Sequence, residues 1–262
     1  MRCRSFLLWA LLTVAVQQAP AQPLPIAHGQ RGTPHVADPL PLGRGVSQVG
    51  LGALYTDYGT DDARGETGSY VVHYTRGLTD RLDVALALGY TSVHAGKGGL
   101  ARSALSAKAL VTPLTSPVSL GVIVSVLLPP PDPDALVSSS GTNPALQLAL
   151  GWSREGQKLV ASGGVARVDV LAPPKQELEP EYAVVAALAY ERALANQLTG
   201  FLELVGSSVP ALEDEDLFFQ VGASWSVRES VRLVASAGIG LPNRELANTE
   251  RRATLGLILT VE

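Results

Sequence analysis

Large apolar residues alternate with small or polar ones along most of this chain, in runs of roughly ten residues, the length a tilted membrane-spanning strand needs. The stretch from Tyr74 to Tyr90 shows the pattern. After the polar turn Gly77-Leu78-Thr79-Asp80, residues Leu82, Val84, Leu86, Leu88 and Tyr90 fall on one face. Asp83, Ala85, Ala87 and Gly89 fall on the other. A packed soluble domain turns its bulky apolar face inward and a charged face to water. Here the second face is small instead, which suits a strand with lipid on one side and a confined interior on the other.

The same division recurs. Leu146, Leu148, Leu150 and Trp152 oppose Gln147, Ala149, Gly151 and Ser153, and Leu255, Leu257, Leu259 and Val261 oppose Thr254, Gly256, Ile258 and Thr260. Twelve strands are expected near 45–55, 67–76, 81–93, 101–112, 117–128, 144–153, 157–170, 181–191, 197–206, 216–227, 230–241 and 250–261. Gly163-Gly164 blurs the alternation, and a bulge is expected there. The connections alternate in length. Gly77 to Asp80, Pro113 to Ser116, Arg154 to Gly156, Ala193 to Asn196 and Arg228-Glu229 are short. Those between them, such as 57–66, 129–143 and 171–180, are long. Short turns on one side and long loops on the other mark an all-β, antiparallel transmembrane β-barrel of the outer membrane, with about 12 strands.

The aromatics test that reading independently. Tyr74, Trp152, Tyr190 and Trp225 fall just before short turns, at the expected periplasmic interface. Tyr55, Tyr70, Tyr90 and Tyr182 fall beside the long loops. Two aromatic bands at the two strand ends are what membrane interfaces select.

Composition agrees. Charged residues make up 17% of the chain, against about 25% in soluble domains. The first residues read as a signal peptide, 1–21: Arg2 and Arg4 precede the apolar run Phe6 to Val16, and Ala19-Pro20-Ala21 is a cleavage site. Removing both arginines takes the formal charge from -4 to -6. An acidic balance argues against a nucleic-acid partner. The sole cysteine, Cys3, leaves with that peptide, so no disulfide or thiol metal site is expected. Residues 22–43, rich in Pro, Gly and His, are expected as a flexible periplasmic lead-in or a plug. The barrel is expected over 44–262.

At Gly77-Leu78-Thr79-Asp80-Arg81-Leu82-Asp83-Val84, and again from Arg232-Leu233-Val234 to Gly240-Leu241, the chain resembles the outer-membrane transporter-like barrels named for the MetA-pathway of phenol degradation. The resemblance spans the chain from about residue 45 onward and rests on turn and strand motifs. It implies a barrel that passes small, aromatic or hydrophobic compounds. The ending Leu259-Thr260-Val261-Glu262 lacks the terminal aromatic that the barrel-assembly machinery commonly reads.

Candidate lumen-lining residues are Asp83, Arg102, Lys108, Gln147, Glu203, Gln220, Arg232 and Arg252. Charges inside a barrel either pair across the lumen or select a solute, and pairing is the commoner role. Glu203 with a lumen arginine is one expected pair. The acidic run Glu213 to Asp216 lacks calcium-loop spacing and is expected as a solvated loop. His73 is expected to point inward, with no serine in a nucleophile context beside it. No catalytic residue, metal or cofactor is therefore expected. Passive passage of small molecules is the leading reading. A closed structural or adhesive barrel is the alternative, and an outer-membrane hydrolase is a minor one. Expected partners are outer-membrane lipids, an unidentified small solute, and the assembly machinery during biogenesis.

Overall fold

Every described strand pairs antiparallel with its neighbours, and the sheet closes on itself. The computed structural model describes residues 36–60, 63–93, 97–100, 103–128, 142–172, 177–209, 214–240 and 248–262. Its strands are β1 (Ser47–Thr60), β2 (Ala63–Thr79), β3 (Leu82–Val93), β4 (Lys97–Leu100), β5 (Ser103–Leu110), β6 (Val118–Leu128), β7 (Asn143–Arg154), β8 (Gln157–Ala172), β9 (Glu177–Ala195), β10 (Leu198–Val209), β11 (Asp214–Arg228), β12 (Val231–Gly240) and β13 (Asn248–Val261). Both β4 and β5 lie against β3, the first beside Tyr90 to Val93 and the second beside Leu82 to Ala87. They form one stave, so the protein is a closed twelve-stranded antiparallel β-barrel. Closure lies between β1 and β13, paired from Ser47 opposite Val261 to Gly59 opposite Asn248 with a register shift after Asp57. The first and last strands thus pair with each other, as hydrocarbon demands of a sheet.

Three local expectations change. First, β2 runs on through Gly77, Leu78 and Thr79, and the turn is only Asp80-Arg81. Gly77 still pairs with Asp83, and a register shift just after it absorbs the extra residue. Second, Gly163-Gly164 forms no bulge. Leu148 opposite Gly163 and Gln147 opposite Gly164 continue an unbroken register. The alternation is lost there only because glycine has no side chain to display it. Third, several long loops are partly strand. Thr60 pairs with Ala63, and Leu171 with Leu178. Beyond the bilayer a hairpin needs its backbone ladder but not an apolar face, so charges such as Arg64 and Glu66 hid the strand.

The outward face carries the large side chains. Leu88, Leu105, Leu148, Val221 and Leu255 are all exposed, Leu255 to 65%. So continuous an apolar belt far exceeds what a water-soluble surface tolerates, and it is the lipid contact. On β3, Ala85 and Ala87 are buried while Leu86 and Leu88 are exposed, so side-chain size is inverted relative to a soluble core.

Leu148 lies on the outward face of β7, four residues from the interfacial Trp152. Leu148→Arg is expected to destabilise the barrel by about 2–4 kcal/mol in reversible urea unfolding from lipid vesicles, with inward-facing Ser125→Arg costing less. Equal losses at the two positions would contradict the assignment of faces.

Candidate functional site

Alternation fixes which side chains reach the lumen, and register fixes which of them meet. Asp83 on β3 and Lys108 on β5 stand directly opposite each other. Both are buried, and they form an ion pair at 3.3 Å. Glu203 on β10 and Gln220 on β11 are also buried and opposite. Gln147, Arg232 and Arg252 lie half-buried on inward positions of β7, β12 and β13. The Arg252 guanidinium sits 3.9 Å from the centre of the Phe218 ring, a cation–π arrangement. Arg102 lies outside the described residues. Among the interface aromatics, Tyr55, Tyr70, Tyr74, Tyr90, Trp152, Tyr182 and Trp225 are exposed. Tyr190 is half-buried, its hydroxyl donating to Gln157 Oε1 at 3.0 Å.

The short-turn end of the lumen holds a segment of the protein's own chain. Residues 36–42 run inside the barrel, with Val36, Ala37 and Asp38 fully buried. The segment enters through Gly43 and Gly45, whose φ angles of 94° and 84° belong to the left-handed region. Gly45 N–H donates to Gly77 O at 3.0 Å, and Gly77 N–H donates to Val46 O at 2.9 Å. A Cβ on Gly77 would collide with the Gly43 carbonyl, so the close crossing needs glycine there.

Inside, the wall holds the segment mostly by its backbone. Lys108 Nζ donates to the carbonyls of Asp38 and Leu40 at 3.2 and 2.6 Å. Leu42 N–H donates to Asp83 Oδ2 at 3.3 Å, and at the rim Arg44 N–H donates to Asp80 Oδ1 at 3.2 Å. The Asp38 carboxylate pairs with Lys158 of β8. Glu191 of β9 lies within electrostatic reach of Lys158, Asp38 and Arg232. Val36 packs with Val160, Ala187, Val205 and Phe218, and Ala37 with Ile123 and Ala149. Pro39 fits a notch at Gly121 and Gly151, where a Cβ would fall 3.0 Å from Pro39 Cα and 2.8 Å from Pro39 Cγ.

Sequence reasoning missed Lys158, Glu191 and Asp38. The first two share inward parity with Val160 and Ala189, so a strict count of alternation from the core of each strand would have found them. Asp38 precedes β1 and carries no periodic signal.

Toward the middle of the strands the lumen is polar. His73 and Gln220 are buried there and Asn143 is buried at the long-loop end of β7, and the side-chain nitrogens and oxygens of all three have no protein hydrogen-bond partner. The His73 ring lies across Gly50, in the space a Cβ would fill. Among the described residues no group of three or more His, Cys, Asp or Glu could hold a metal.

No family model and no curated protein matches the sequence. Solved structures do. The COG4313 outer membrane channel from Pseudomonas putida F1 superposes with a TM-score of 0.65 at 16% identity, covering 86% of this chain and 98% of that one. The NanC porin gives 0.57 at 7% identity over 81% and 98%. The KdgM porin in complex with disordered oligogalacturonate gives 0.54 at 9% identity over 82% and 99%. At such identities the likeness is one of fold, and that fold is the outer-membrane barrel.

Lys108→Met alone leaves the Asp83 carboxylate buried without its cation, and is expected to cost about 3–5 kcal/mol. The double variant Asp83→Asn, Lys108→Met is expected to recover most of that loss. Urea midpoints in vesicles measure both; a double variant as unstable as the single one would show that the pair is not the source of the loss.

Proposed function

We propose that the protein is a passive, energy-independent channel for small molecules across the outer membrane, narrowed at its periplasmic end by residues 36–42. The observation that carries this reading is the polar middle of the lumen. His73 and Gln220 turn buried polar atoms inward with no protein group to bond them, as Asn143 does at the long-loop end of β7. In a dry, sealed interior each would cost about 1–3 kcal/mol, and a hydrated passage removes that cost. The inward Ala, Gly and Ser positions leave room for such a passage. Twelve strands make it narrower than the bore of the porins with 16–18 strands.

The likeness to outer-membrane channels and porins supports the same class. The resemblance at Gly77 to Val84 favours small aromatic or hydrophobic solutes. A closed barrel, structural or adhesive, is the competing reading, favoured by the segment held in one end.

Planar-bilayer recording separates the two. Small conductance steps are expected from the full chain, and larger ones after deletion of residues 22–42. Silence from both proteins, each shown to be folded by heat-modifiable gel migration, would leave the sealed barrel as the answer.

A further inference from the structure

The contacts that seat residues 36–42 need little of a polypeptide. One lysine takes a carboxylate, Lys158 with Asp38. Another, Lys108, takes two carbonyl oxygens. Beside them a smooth wall of Val160, Ala187 and Phe218 takes a small branched chain. We infer that this seat is a solute-binding site occupied by the protein's own chain, and that the solute it takes is a linear carboxylate bearing a short apolar tail. This deepens the reading of the barrel as a channel by assigning the solute class at its narrow end.

Two features make the occupant exchangeable. When the segment leaves, neither lysine is stranded. Lys108 keeps Asp83, its cross-strand partner at 3.3 Å, and Lys158 keeps Glu191 within electrostatic reach. A buried charge that loses its only partner holds a structure rigidly, whereas a wall with reserve partners tolerates both states. The segment also joins the barrel through Gly43 and Gly45, whose backbone rotates at less steric cost than any other residue's.

Departure of the segment removes one carboxylate, that of Asp38, from a cluster in which Lys108, Lys158 and Arg232 face Asp83 and Glu191. An incoming carboxylate restores the balance. An alcohol of the same length does not, and an alkylammonium worsens it. The two occupants exclude each other, because the carboxylate must meet the same Lys158 and its tail must lie where Val36 lies.

The test reads displacement of the segment, not conduction. The full chain carries Cys3→Ser and Ala37→Cys and is embedded in lipid vesicles. Its folding is checked by heat-modifiable migration. The rate of maleimide labelling at position 37 is then measured with hexanoate, 1-hexanol or hexylammonium. Hexanoate is expected to speed labelling about tenfold, the size of a typical coupling between competing ligands. The other two are expected to leave the rate unchanged. Asp38→Asn should label fast without any solute, showing that the position becomes reachable once the segment is loosened. Lys158→Met, which breaks the same pair, should also label fast, and hexanoate should add nothing. Equal acceleration by 1-hexanol, an effect that survives Lys158→Met, or no acceleration by hexanoate would each overturn the site. Conductance is recorded separately. Labelling that responds in a silent barrel would reject the channel while leaving the site, and conduction without a labelling response would do the reverse.

Discussion

Pairing of β1 with β13 is the constraint on which the rest of the molecule depends. In hydrocarbon an unbonded peptide group has no water to turn to, so a sheet survives there only when its first and last strands meet. The register from Ser47–Val261 to Gly59–Asn248 completes the ladder. Once closed, the sheet has one face toward lipid and one toward a lumen, and each residue's parity decides its solvent. Bulky side chains go outward because lipid accommodates any shape. Small ones go inward because a twelve-stranded barrel leaves little space.

Closure also sets the electrostatics. A buried charge on the inner face needs a partner, and register supplies one such pair. Asp83 and Lys108 are cross-strand neighbours by sequence position, and their ion pair follows from the ladder. The chain segment in the lumen joins this arrangement. It brings carbonyls and an N–H that a free strand would give to a neighbour, and the wall answers with Lys108 and Asp83. The segment thus meets its backbone requirements through side chains, where the strands meet theirs through one another.

The barrel was legible from parity alone, because lipid and lumen impose opposite demands on adjacent residues. Leu86 and Ala87 state those demands side by side. Strand ends were less legible. Past the bilayer the outward face meets water, so the hairpin at Asp57 to Glu66 keeps its ladder while its alternation fades. The Gly163-Gly164 pair misled for a related reason: glycine reports no direction even where the backbone is regular. The contents of the lumen were only partly readable. Asp83, Lys108, Glu203 and Gln220 announce themselves as polar residues in inward phase. Asp38 sits in a proline-rich stretch with no period, and its place depends on a lysine 120 residues away.

The route of residues 36–42 has a consequence for how the molecule is built. Walls of their seat come from β3 and from β5 through β11: Asp83, Lys108, Ile123, Ala149, Lys158, Ala187, Val205 and Phe218. The segment itself precedes all of these in the chain. A finished barrel would have to be threaded, whereas strands added in order can wind around a segment already in place, as yarn winds on a spindle. The same segment leads directly into β1, which waits for β13 to make the last seam. The residues held inside the lumen are thus continuous with the strand that makes the closing seam.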